Sequence, residues 1–334
     1  MIIHSPRQLL AAIPHLIGFH PESSLVFVVF DDNEVKTITR IDWPDHQISL
    51  PANVALALRS VQDPSLVLMA YHDDEWTLDQ VVDLVAGATE PQLLDALWIR
   101  KGHWGSLMCD DHECCPIEGH LLSDVSATDV EFIVAGSAPF ESRDDMVNRL
   151  SPAHLSASEI DARSQARLDV DHIVRQRLEL SETKNSKKPQ SIVEQRDLIV
   201  QDVTSRLNHV DSTSWTEHAW ICAVVTDIRM RDALLRTLFD KELMRPLLRS
   251  SLMTAISKAN ESDVPALATV LAGCAWLDGN GALAGVALAR ALDVDPSYSL
   301  ARLLDRAITH GVPPSVWADS LEAVSYAECL AGAA

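Results

Sequence analysis

No apolar stretch in these 334 residues approaches the ~18–20 needed to span a bilayer. The opening Met1-Ile2-Ile3-His4-Ser5-Pro6 has no basic n-region, and no small-residue cleavage site follows an apolar run. Basic runs are missing as well. The densest, Lys184 to Lys188, lies in a polar segment, and 48 acidic residues against 27 basic ones give a formal charge of −21. Such a field repels phosphate backbones. These absences lead to the expectation of a soluble, cytoplasmic protein whose partners include neither membrane nor nucleic acid. Also lacking are a Walker-type loop, a Gly-x-Gly-x-x-Gly where a strand meets a helix, and a Gly-x-Ser-x-Gly elbow. Nucleotide-dependent and serine-hydrolase classes lose support, and no cofactor-binding residue is assigned.

Hydrophobic residues make up 47% and charged residues 22% of the chain, the balance of a globular protein long enough for two domains. Residues 1–150 read as mixed α/β. Pro6 to Leu16 carries Leu9, Leu10, Ile13 and Leu16 on one helical stripe, with Ser5 as N-cap and Pro14 expected to stop or kink it. Leu25 to Phe30 is a run buried on both faces. It turns through Asp31-Asp32-Asn33 into an alternating strand, Val35 to Ile41, so the pair predicts a hairpin. A helix over Ala52 to Val61, a strand over Leu66 to Tyr71, a helix from Thr77 to about Ala86 and a strand over Leu94 to Ile99 follow. A fifth strand, His103 to Met108, is expected across Lys101-Gly102. The early hairpin makes the sheet mixed rather than purely parallel.

From about Asp144 the strand signal fades. Ser142 reads as an N-cap. Residues 151–190 read as a long charged helix (Ser156 to Leu180) and a polar linker (Ser181 to Gln190). Residues 191–334 form an expected α-helical domain. Its segments are Ile192–Leu207, Trp215–Val225, Arg231–Phe239, Met244–Lys258, Val264–Leu277, Ala282–Leu292, Ser299–Thr309 and Ser315–Glu328. Leu271, Ala272, Gly279, Ala284, Ala291, Leu292 and Pro296 stand at the spacings of a tetratricopeptide-like helical hairpin, with no copy at a 34-residue period beside it. The expected fold class is thus a mixed α/β N-terminal domain followed by an all-helical C-terminal domain.

Cysteine is scarce, six in all, yet Cys109, Cys114 and Cys115 fall within seven residues. They offer thiolates for zinc, with His103, His112 or His120 as a fourth ligand. Against this, no second cysteine pair exists, and adjacent cysteines point apart in extended chain. A reversible disulfide between Cys109 and Cys114 or Cys115 is a second use, opposed by Asp110, Asp111 and Glu113, whose charge raises a thiol pKa. Inert thiols closing a turn are the third reading. Elsewhere, Asp227-Ile228-Arg229-Met230-Arg231-Asp232 could clamp an anion through Arg229 and Arg231. The plainer reading is a helix capped by Asp227, with its charges paired locally.

Three segments in combination resemble an actinobacterial family known as domain of unknown function 4192. They are Leu9-Leu10-x-x-x-Pro14-x-Leu16-x-Gly18-Phe19-x-Pro21-x-x-Ser24-Leu25-Val26, then the Trp104/Cys109/Cys114-Cys115-Pro116/Gly119 cluster, and a C-terminal set. That set runs Thr226-Asp227-x-Arg229-x-Arg231-Asp232, Ala275-Trp276-Leu277-x-Gly279-x-Gly281-Ala282-Leu283-Ala284 and Asp295-Pro296-x-Tyr298-Ser299-Leu300. The polar stretch around Ser156 to Gln190 takes no part in it. The resemblance supports the fold boundaries and implies no activity, substrate or cofactor. The leading functional expectation is a non-catalytic interaction or regulatory protein that binds a protein partner through its helical half. The alternative is a metal- or redox-dependent sensor or enzyme built on Cys109, Cys114 and Cys115, with His112 or His120 as ligand or base and zinc as the candidate ion.

Overall fold

The structure, a computed structural model, describes residues 3, 5–31, 34–43, 50–73, 80, 83, 92–125, 138–182, 191–206 and 214–332. The expected helix from Thr77 to Ala86 lies outside these except for Gln80 and Asp83, both helical, and so does nearly all of the Ser181 to Gln190 linker. The chain divides into two compact units, Met1–Asp145 with Thr309–Gly311, and Met146–Ile308 with Val312–Ala334.

The first unit is built on a mixed six-stranded sheet in the order β2-β1-β3-β4-β5-β6. Its strands are β1 (Ser24–Asp31), β2 (Glu34–Asp42), β3 (Pro64–Tyr71), β4 (Gln92–Arg100), β5 (His103–Ser106) and β6 (His120–Leu121). β1 pairs antiparallel with both β2 and β3, and β3 pairs parallel with β4. β4–β5 and β5–β6 are antiparallel. The β-branched run of β1 is central, and its side chains from Ser24 to Phe30 are buried, because both faces of the sheet are covered. Leu25, Phe27 and Val29 form one core with Leu66, Leu68 and with Val54 and Leu58 of helix α2 (Ala52–Ser60).

Helix α1 (Pro6–Ile17) begins where Ser5 Oγ accepts from the Gln8 N–H at 3.2 Å. Of the stop or kink expected at Pro14, the stop does not occur: the helix runs on to Ile17. Pro14 has no N–H to donate into the helix, and Gly18, at φ 86°, supplies the terminus by donating to the Pro14 carbonyl at 2.8 Å.

The second unit is helical: α3 (Arg143–Leu150), most of which lies here, then α4 (Ala157–Glu182), α5 (Ile192–Arg206), α6 (Trp215–Thr226), α7 (Ile228–Asp240), α8 (Arg245–Lys258), α9 (Val264–Leu277), α10 (Gly281–Val294), α11 (Ser299–Thr309), α12 (Pro314–Glu322) and α13 (Tyr326–Ala331). Every residue of α9 from Val264 to Trp276 is buried. A helix apolar on all sides must sit at a core, and α9 touches α6, α7, α8, α10 and α12. It makes a tight helical hairpin with α10 through Asp278-Gly279-Asn280, where Gly279 takes φ 75°.

The charged α4 packs along α6 rather than standing apart. Arg167 holds it there, reaching both carboxylate oxygens of Asp263 at 3.1 and 3.2 Å and also pairing with Asp171. The expected single helix from Ser315 to Glu328 is two helices, α12 and α13. They are separated by a capping box in which Ser325 and Glu328 satisfy each other's backbone N–H groups. α7 starts three residues earlier than expected, since Asp227 Oδ1 accepts from the N–H groups of Arg229 and Met230 at 2.9 and 3.0 Å.

Candidate metal centre

β5 delivers the chain to the cysteine loop. At its end Ser106 Oγ donates to Asp95 Oδ1 at 2.6 Å and accepts the Met108 N–H at 3.0 Å, so the loop leaves β5 from a fixed point. Asp111 then organises the turn. Its carbonyl accepts from the N–H groups of Cys114 and Cys115 at 3.1 and 2.7 Å, and its carboxylate accepts the Glu113 N–H at 2.9 Å. The Cys109 thiol also approaches that carbonyl, at 3.9 Å. This is an aspartate-centred turn in which the side chain mimics a further backbone turn.

The consequence is convergence. The sulfurs of Cys109, Cys114 and Cys115 all lie within 4.8 Å of one another. The expectation that the adjacent pair would point apart is corrected here. It assumed extended chain, whereas Cys114 and Cys115 sit in a turn hung from one carbonyl. Cys114 is exposed and the other two are half-buried.

The loop closes through close packing of backbone on indole. Gly119 has φ +79°, and a Cβ there would come within 2.4 Å of Trp98 and 2.6 Å of the Trp104 carbonyl. A Cβ on Gly105 would meet Trp98 at 2.7 Å. Trp98 thus lies against two glycines and fixes how closely the returning strand β6 approaches β5.

The histidines do not join the sulfurs. His112 is exposed, and neither it nor His120 offers a nitrogen to the three-sulfur group. His120 Nε2 instead lies 2.9 Å from the Cys114 carbonyl, and its ring packs on Trp104 at 4.8 Å between centroids. His103 Nδ1 lies 3.1 Å from the Lys101 carbonyl. Burial first, then hydrogen bonding with Cys109, push the Cys115 thiol up to about 12, while a backbone hydrogen bond from Ser106 works the other way. As a free thiol Cys115 is a poor nucleophile.

The two arginines of the Asp227–Asp232 segment go separate ways. Arg231 is buried, and its guanidinium donates to Asp232 at 2.7 and 2.9 Å and to the Tyr298 hydroxyl at 2.9 Å. Arg229 is exposed and lies over Gly332. Sequence reasoning missed Asp95, Ser106 and Asp111 as organisers of the loop. The one signal for them was the Asp111-x-Glu113 spacing of an Asx turn.

A family model described as domain of unknown function (DUF4192) matches residues 6–315. The chain belongs to this family. The match runs through α4 and the polar stretch after it, which the resemblance had left aside. No curated protein and no solved structure matches the chain. For this DUF4192 chain the chemistry therefore has to be read from the site itself.

Proposed function

We propose that the protein is a metal-dependent sensor or enzyme that binds a thiophilic divalent ion, zinc first, through Cys109, Cys114 and Cys115. The observation that carries this reading is the convergence of the three sulfurs within 4.8 Å. A tetrahedral zinc holds sulfurs at about 2.3 Å, which spaces them roughly 3.8 Å apart, so small rotations of the side chains complete the set. Three protein ligands leave a fourth position for water or a substrate, the pattern of a working rather than a sealed zinc site. His120 would act from behind by holding the Cys114 carbonyl, and the Asp111 turn would hold the spacing.

The test is metal content on protein purified without oxygen or chelator, with reactive thiols counted on the same sample. The expected result is about one equivalent of zinc, with three thiols protected until chelation. Cys114→Ala should then abolish zinc retention with little change in fold, since the side chain is exposed. Metal-free protein with three freely reactive thiols sinks the proposal. A Cys109–Cys115 disulfide formed under mild oxidant in such protein would favour the redox variant of the same site.

Partner binding through the helical half stays as a second reading. It is supported by a cavity of about 500 Å³ lined by Val200, Thr204, Thr237, Lys241, Met244 and Tyr326. A tetratricopeptide-like role for the α9–α10 hairpin belongs to that reading.

A further inference from the structure

A cavity of about 660 Å³ opens in the first unit, bordered by Tyr71 where β3 ends and by Arg100 where β4 ends. β3 and β4 are the parallel pair of the sheet. In α/β sheets the crevice beyond the carboxyl ends of parallel strands is where ligands sit, since loops diverge there and backbone groups point outward.

Backbone strain marks the same place. Among the described residues, the non-glycine positions with positive φ are Ser23 at 41° and Lys101 at 49°. Both line this cavity. Each is strained for a residue with a side chain and persists only where the surroundings over-determine it. Those surroundings are visible at Ser23. The Trp43 N–H donates to its carbonyl at 2.7 Å, Arg40 donates to the Glu22 carbonyl at 3.3 Å, and the His20 N–H donates to the Phe140 carbonyl at 3.0 Å. Lys101-Gly102 forms the two-residue turn between β4 and β5 with both φ angles positive. That turn type favours Asn-Gly, so a lysine there forgoes stability for a charge at the cavity rim.

The charged groups are sorted by sign along the sheet. Glu22 enters β1 and Asp73 leaves β3, while Lys101 stands just past the end of β4, where the Arg100 guanidinium is turned over the Trp98 ring at 4.7 Å. His20 and His72 add ring nitrogens, and Leu10 and Pro14 of α1 give an apolar wall. A lone anion would face Glu22 and Asp73, and a lone cation would face Lys101. A ligand carrying both signs complements all three, and the volume lies within the usual range of small-molecule sites.

We infer that this cleft binds a small zwitterion of the amino-acid or short-peptide class. Its ammonium lies toward Glu22 and Asp73, its carboxylate toward Lys101, and its apolar side chain against α1. The inference stands apart from the metal reading, because none of these residues belongs to the cysteine loop.

The experiment is a titration of the full chain followed by the ring CH signals of His20 and His72 in a ¹³C-resolved NMR spectrum. The probes are L-phenylalanine and the dipeptide phenylalanyl-leucine, against 3-phenylpropionate, which lacks the ammonium, and phenylalanine amide, which lacks the carboxylate. Saturable shifts are expected from at least one zwitterion, with binding about tenfold weaker or more for each truncated probe. Lys101→Gly should weaken the zwitterion severalfold while raising Tm, since glycine relieves the turn. Asp73→Asn should weaken it without that rise, and Arg302→Gln on the helical unit should change nothing. Absence of shifts up to about 10 mM of either zwitterion, or 3-phenylpropionate binding as tightly as phenylalanine, overturns the proposal. So does a Lys101→Gly variant that gains stability and binds the zwitterion unchanged, because the lysine would then serve the turn alone.

Discussion

The two units hold three cysteines each and use them in opposite ways. In the helical unit Cys222, Cys274 and Cys329 are buried on three separate helices. Burial pushes Cys274 up to about 12 and raises the other two. They pack as small apolar side chains, and Cys274 donates weakly to the Arg245 carbonyl at 3.8 Å. In the sheet unit Cys109, Cys114 and Cys115, exposed or half-buried, converge on one turn. The lesson is that chemistry is signalled by grouping and access, not by residue type. A thiol in a helix interior is satisfied by its neighbours, whereas three thiols grouped around one point offer a ready set of soft ligands.

The contrast can be broken from either side. The largest loss of stability should come from the helical unit, where Arg167 and Asp263 are buried as a pair. Arg167→Ala leaves Asp263, whose side chain is 8% exposed, as an uncompensated buried charge. Denaturant unfolding should show a cost of about 3–5 kcal/mol, with zinc retention by the folded fraction unchanged.

Acid should act on the same unit. His218 is 5% exposed, neither ring nitrogen has a hydrogen-bond partner, and burial first, then the Lys258 charge, lower it to about 4. Below about pH 6.5 the unfolded chain takes up a proton that the folded chain refuses. Stability should therefore fall as pH drops from about 6.5 and level off below about 4, a loss on the order of 2–3 kcal/mol. His218→Phe should flatten that slope in urea melts run across the window. An unchanged slope would show that His218 does not carry it.

On the sheet side, Gly119→Ala meets both an unfavourable φ and the Trp98–Trp104 wall. A cost of about 2 kcal/mol is expected, together with weaker zinc binding, because the cysteine loop could no longer close. The smallest effect tests the helical terminus. Ser325→Ala removes the capping box that starts α13 and should cost about 1 kcal/mol, read as a Tm shift with the thiols untouched.

Much of the architecture was legible because local signals agreed with tertiary demands. Leu25 to Phe30, rich in β-branched residues, reads as a buried strand and is one, and Val264–Leu277 keeps the same limits in sequence and structure because its apolar run ends in Asp278-Gly279. The capping box Ser325-x-x-Glu328 was equally legible and was passed over in favour of one long helix. Other features had no local trace. Arg167 and Asp263 lie 96 positions apart, so their pairing emerges only when α4 docks. The convergence of Cys114 with Cys115 depends on the Asp111 carbonyl, and a composition of cysteines and histidines pointed to ligand nitrogens that the turn keeps out. The strain at Ser23 and Lys101 is invisible in sequence, since serine and lysine carry no mark of left-handed backbone.

The sheet finishes on β6, a strand of two residues, and the cysteine loop is what brings it back beside β5. An edge strand stripped of its neighbour offers its ladder to any other chain. If the loop opened, β5 and the buried face of Trp104 would become that edge. The cysteine turn is then also a clasp against self-association. Opening that turn would be felt first as clumping at high protein concentration, ahead of any loss of secondary structure.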